Sequence, residues 1–111
     1  MRESIVRTPT DLTELNKLEA WLAENGFHYE RIDKDKVPDE SGFSEILERH
    51  QIIVYDNNGN RSFDAICHWG SYGHEAGLLE TYGTIVPAEI EDSVEGWLSA
   101  DNVIERIRRY A

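Results

Sequence analysis

Leu12, Leu15, Leu18 and Leu22, with Trp21, recur at the three- and four-residue spacing of one helix face. Asp11, Glu14, Lys17, Glu19 and Glu24 take the other faces. The spacing predicts a helix that starts in Thr8-Pro9-Thr10-Asp11. Thr8 or Thr10 is its N-cap, and Pro9 suits a first helical position. Asn25-Gly26 ends it, Gly26 supplying the left-handed residue after the last turn. The period then shortens to two, predicting a strand over 27–32 with Phe27 and Tyr29 on one face. Residues 33–42, with Pro38 and Gly42, read as a polar connection. Residues 43–48 fit a helical turn and an early strand equally, and residues 1–8 show no period, as in a short strand or a loose arm.

Two strands, 50–55 and 61–69, flank Asp56-Asn57-Asn58-Gly59-Asn60. The Asn-Gly pair is a hairpin signal because it accepts the positive φ of a type I′ turn. Alternation in the return strand sets Phe63, Ala65, Cys67 and Trp69 on the core face, against Ser62, Asp64, Ile66 and His68. After the turn Gly70-Ser71-Tyr72-Gly73, residues 74–82 read as a short helix with Leu78, Leu79 and Tyr82 inward and Gly83 at its end. Residues 84–86 read as a short strand stopped by Pro87, and 94–98 as another. Ser99 caps a last helix with Asp101 in its first turn and Val103, Ile104, Ile107 and Tyr110 on its apolar face. Arg106, Arg108 and Arg109 suit the negative end of that helix. The sum is one α+β domain over 1–111, an antiparallel β-meander flanked by an N-terminal and a C-terminal helix packed on one sheet face.

Composition adds an electrostatic constraint. The 111 residues carry 22 acids and 11 Lys or Arg, a formal net charge of −11. The bases are unevenly placed: residues 62–105 contain no Lys or Arg, and three arginines follow at 106, 108 and 109. Such a field repels nucleic acid and favours a basic partner, although acidity also keeps a small protein soluble. No apolar run approaches the ~18 residues that span a bilayer, and the first residues lack the apolar core of a signal peptide. The single cysteine excludes an internal disulfide and fits a reducing cytosol, so a cytoplasmic protein is expected.

Chemistry-bearing residues concentrate in 63–83. Cys67, His68, His74 and Glu75 lie within nine residues but have no second ligand pair, and Leu78 stands where a metalloprotease helix needs its second His. Asp56, Asn58 and Asn60 have calcium-loop spacing, yet Arg61 replaces the required Gly and Cys67 the bidentate Glu. No metal and no cofactor are therefore expected. Cys67 beside His50, His68 or His74 is a conceivable nucleophile, but a lone cysteine on an apolar strand face is ordinarily inert core, so no catalytic residue is assigned. Two candidate sites remain. The first is an acidic face of Glu89, Glu91, Asp92, Glu95, Asp101 and Glu105, anchored by Trp97, that imitates a phosphate backbone toward a basic groove. The second is a ligand pocket of Trp69, Ser71, Tyr72, His74 and Glu75, in which aromatic rings beside a glycine-rich turn suit stacking on a base.

The stretch HQIIVYDNNGNRSFDAICHWGSYGHEAGLLETYGTIV, followed by VEGWLSADNVIERI, resembles short phage and prophage reading frames of Gram-positive bacteria. That resemblance covers roughly residues 12–108 and transfers no activity and no site residue. It implies a class: small acidic phage proteins are often non-enzymatic inhibitors of host defence, anti-CRISPR proteins among them. The expected function is an inhibitor whose acidic face competes for the nucleic-acid groove of a basic host protein such as a CRISPR effector. The alternative is a protein that sequesters a defence signalling nucleotide through 67–83. Neither binds nucleic acid or a membrane directly, and a homodimer is compatible with both.

Overall fold

Helix α1 spans Thr13–Glu24 and buries Leu15, Leu18 and Leu22 completely, as the leucine spacing requires. The computed structural model describes residues 10–34, 37–38, 45–46, 48–90 and 94–110. Thr8 and Pro9 lie outside them, as do residues 1–7. Thr10 does not cap α1: its hydroxyl donates to Glu48 Oε1 at 2.7 Å. Asp11 does that work instead, its Oδ1 accepting the Thr13 N–H at 2.9 Å; the Thr13 hydroxyl, and then this backbone bond, hold the Asp11 carboxyl below its ordinary value.

A two-residue ladder of β2 (Val37–Pro38) with β3 (Glu45–Ile46) follows the first strand, β1 (His28–Lys34). The connection read as a polar loop thus contributes β2, and part of the ambiguous 43–48 segment is strand. The main sheet continues with β4 Arg49–Tyr55, β5 Arg61–Ile66, β6 Leu79–Gly83 and β7 Val94–Leu98. Its five antiparallel strands stand in the spatial order β1-β4-β5-β6-β7. Register brings Val54 opposite Phe63, Ile52 opposite Ala65 and Leu79 opposite Leu98. These residues form one core with the leucines of α1 and with Val103, Ile104 and Ile107 of α2 (Ala100–Tyr110). The architecture is therefore α+β, an antiparallel sheet with both helices on one face.

The last helix is capped reciprocally. Ser99 Oγ accepts the Asn102 N–H and Asn102 Oδ1 accepts the Ser99 N–H, both at 3.1 Å. Glu14 of α1 accepts the Ala100 N–H at 2.7 Å, placing a carboxylate at the positive end of α2. The arginines have local partners: Arg106 bonds Glu95 at 2.7 Å, and Arg108 lies 5.7 Å above the Trp21 ring. Tyr110, expected on the apolar face, is 42% exposed because the helix ends there beyond the sheet-facing turns.

Three further expectations are corrected. The 56–60 turn is not type I′: Gly59 has φ +83 but Asn58 does not have positive φ, and Asp56 Oδ1 instead accepts the N–H groups of Asn58 and Asn60. That side chain closes the loop in a longer hairpin form with a register shift at Val54/Tyr55. Residues 74–82 are not one helix. A single 3₁₀ turn over His74–Ala76 gives way to β6, with Leu79 and Thr81 buried and Tyr82 exposed. The period is two, as the edge of β5 demands a partner strand, and inward burial of Tyr82 fails with the helix. Residues 84–86 form a turn, the Val86 N–H bonding to the Gly83 carbonyl, although Ile85 and Val86 are buried.

Candidate functional site

Strand β5 stops at Ile66, and the chain takes twelve residues to reach β6. That connection turns away from the sheet end, and this is why Trp69 does not join the core face: it is 46% exposed, while Phe63, Ala65 and Cys67 are buried. The connection carries hydrogen bonds of its own. The His68 carbonyl accepts both the N–H and the hydroxyl of Ser71, and Ser71 Oγ accepts the His68 N–H. The His74 N–H bonds to the Ser71 carbonyl and the Leu78 N–H to the Gly73 carbonyl. Two carboxylates pin the turn from the sheet side: Glu48 accepts the Trp69 N–H at 2.9 Å, and Glu80 accepts the Tyr72 N–H at 2.8 Å.

The connection lies tightly on β7. Trp97 N–H donates to the Tyr72 carbonyl at 3.3 Å. Glycines make this approach feasible. A Cβ at Gly73, whose φ is +100, would sit 3.0 Å from the Trp97 backbone, and one at Gly96 would collide with the Tyr72 side chain. Trp97 itself has φ 62, the one positive value among described non-glycine residues. A left-handed conformation at a non-glycine residue costs about 1–3 kcal/mol and persists where the surroundings over-determine it.

The result is a cavity of about 500 Å³ lined by Trp69, Gly70, Ser71, Tyr72, His74, Glu75 and Trp97. Three exposed aromatic residues are among its lining: Trp69 at 46%, Tyr72 at 63% and Trp97 at 54% exposure. A neighbouring hollow of about 310 Å³ shares Trp69, Gly70 and Ser71 and adds Glu48, His68 and Glu80. None of the described residues lining either space is Lys or Arg.

Behind the cleft runs a chain of polar contacts. His50 places Nδ1 2.7 Å from Asp33 and Nε2 3.2 Å from Glu48. Glu48 also receives the Thr10 hydroxyl, which lies 3.2 Å from His74 Nε2. Burial pushes the Glu48 carboxyl up, but Thr10, the Trp69 N–H and His50 outweigh it and hold the group below its ordinary value. Asp33 is likewise raised by burial and lowered further by His50 and Arg31. Burial keeps His68 below the ordinary histidine value, in keeping with Nδ1 accepting the His50 N–H.

The pocket predicted from Trp69, Ser71, Tyr72, His74 and Glu75 is thus brought together. Trp97 joins it, although its place in the sequence suggests the acidic face. The spacing of 69 and 97 carries no signal of their meeting; only the pairing of β6 with β7 creates it. The residues expected on the acidic face are placed as follows. Glu95 is on the helix side of β7, bonded to Arg106, because the register shift in β7 turns it inward. Asp101 lies 3.4 Å from Lys17 and Glu105 lies 3.8 Å from Arg109. Glu89 is exposed, and Glu91 and Asp92 lie outside the described residues.

Cys67 is fully buried, its thiol directed at the Asp11 carbonyl at 3.5 Å. Burial, then the charges of Asp11 and Glu48, push it up to about 11. Such a thiol is a poor nucleophile. Among the described residues no three of His, Cys, Asp and Glu are grouped to hold a metal ion, and no helix is long and apolar enough to cross a membrane. The chain matches no family model, no curated protein and no solved structure.

Proposed function

We propose that the protein is a non-enzymatic binding protein that engages a basic partner protein through the cleft of Trp69, Tyr72 and Trp97 and its acidic surroundings. The carrying observation is that three exposed aromatic residues line one cavity with no described Lys or Arg in its lining. Rigid aromatic anchors with a polar rim are the usual centre of a protein–protein interface. The net charge of −11 steers association with a basic surface. The phage resemblance makes a nucleic-acid-binding host defence protein the partner class to test first, with inhibition by occupation of its basic groove.

The nucleotide reading has the same aromatic residues in its favour, but part of its phosphate-binding turn is already engaged. The turn's N–H groups at 69, 71, 72 and 74 are already donated to Glu48, His68, Glu80 and Ser71. Two of those acceptors are carboxylates, which repel an incoming phosphate.

The test is capture from a host lysate by tagged wild type and by Trp97→Gly, washed at low and high salt. The expected result is a basic nucleic-acid-binding protein held by wild type, displaced by added nucleic acid or by salt, and missing from the variant. A partner that binds both proteins equally, or resists salt and nucleic acid, would sink this assignment.

A further inference from the structure

We propose that the cleft is an aromatic cage for a cationic side chain, the lysine or arginine of a partner protein, with Glu75 as its counter-charge. This rests on the binding function above and assigns the chemistry at its centre.

Four observations point the same way. Trp69, Tyr72 and Trp97 line one space of about 500 Å³, large enough for the end of a long side chain. Ring faces attract a cation within about 6 Å of their centroids, Trp most strongly. The charged lining residue is the exposed Glu75, while Glu48 and Glu80 lie beneath the turn, so the space has negative surroundings on two sides. Two of the turn's N–H groups, those of Trp69 and Tyr72, already donate to carboxylates, whose charge favours a cation over an anion beside them. Lastly, the Trp97 backbone, with φ 62, is fixed against the turn by its bond to the Tyr72 carbonyl and by the close Gly73 approach. A glycine-compatible position that nevertheless carries the largest side chain places that ring at a real conformational cost.

A guanidinium or ammonium group entering the cage would trade water for ring faces and the Glu75 carboxylate. Partial desolvation strengthens both attractions. A neutral side chain of the same shape keeps the apolar contacts and loses the electrostatic part.

The experiment is a titration of ¹⁵N-labelled full-length protein followed at its three tryptophan indole N–H resonances. The probes are the capped peptides acetyl-Gly-Arg-Gly-amide and acetyl-Gly-Lys-Gly-amide, the isosteric citrulline peptide, tetramethylammonium and adenosine monophosphate. Saturable shifts at Trp69 and Trp97, but not Trp21, are expected with the Arg or Lys peptide. Binding of the citrulline peptide should be about tenfold weaker. Glu75→Gln, an exposed conservative change, should weaken the cationic peptide several-fold and leave the citrulline peptide unchanged. Equal binding of citrulline and arginine peptides, or preference for adenosine monophosphate, would overturn the cage. Saturation by tetramethylammonium without either peptide would overturn the protein side chain in favour of a small ammonium ligand. No response to any cation while Trp97→Gly still abolishes partner capture would reject the cage and leave the binding function standing. Peptide binding in the cage with no salt-sensitive partner would uphold the cage and reject the groove-occupying function.

Discussion

Trp97 combines two properties that are rarely found together, an exposed aromatic ring and a left-handed backbone. The conformation disfavours any residue with a Cβ by about 1–2 kcal/mol relative to glycine. Trp97→Gly and Trp97→Ala remove the same ring, but only glycine relieves the backbone. Denaturant melts should therefore show the glycine variant about 1 kcal/mol more stable than the alanine variant, while both lose partner capture. Cys67 gives a second expectation. With its thiol pushed up to about 11 by burial and nearby carboxylates, it should resist a disulfide reagent at about pH 8 in native protein and react fully once unfolded. Rapid labelling of the folded chain would reopen nucleophilic chemistry. Asp64 gives a third. It lies on the helix-free face of the sheet, accepts from Gln51 Nε2 at 2.7 Å, and burial raises it above its ordinary value of 3.8. The folded state therefore holds the Asp64 proton more tightly than the unfolded chain. Ionisation subtracts stability above the folded pKa, and that penalty disappears below the unfolded one. Asp64→Asn keeps an acceptor for Gln51, so thermal melts should show a gain near neutral pH that vanishes as the pH falls below about 4.

Between β5 and β6 the chain behaves as a built element rather than a slack loop. Its turn is closed by Ser71, pinned by Glu48 and Glu80, and seated on β7 at Gly73 and Gly96. Gly96→Ala tests this seating. Its methyl group would meet the Tyr72 side chain and come within 2.9 Å of the Tyr72 carbonyl oxygen. The turn must lift, and overpacking of this kind costs about 1–3 kcal/mol. The expected outcome is a lowered denaturation midpoint together with shifted Trp69 and Trp97 indole resonances. A stability loss with both resonances unmoved would show that the strand and the turn are not coupled.

Charge acts across the entire fold. With −11 formal charges on 111 residues, self-repulsion opposes the compact state, and only part of it is relieved by pairs such as Arg31–Glu19 and Arg106–Glu95. Added sodium chloride should therefore raise the melting temperature while weakening capture of a basic partner, because screening removes repulsion within the chain and attraction between chains alike. Salt that destabilised the fold would mean that the internal ion pairs outweigh the net charge. The same field, together with a cleft whose described lining lacks Lys and Arg, supports the proposed cationic ligand.

Much of this is readable along the chain because it depends on local period and turn chemistry. The leucine stripe of α1, the Ser99 start of α2, the alternation of Phe63, Ala65 and Cys67, and the α+β class all follow from residues within one or two turns of each other. The members of the cleft from 69 to 75 are readable too, since an unusual cluster of aromatic and glycine residues is contiguous there. Where neighbours in space are far apart in sequence, the pattern is silent or misleading. Leu78, Leu79 and Tyr82 suit a helix until β5 presents an open edge, and pairing then outweighs the weak local preference of five residues. Glu95 looks like surface charge until a shift in register turns it toward Arg106. Trp97 belongs to the cleft only because β7 lies beside β6 and two glycines let its backbone touch the turn. Contacts of that kind depend on strand order and register, and these are set by burial of the complete core rather than by any one segment.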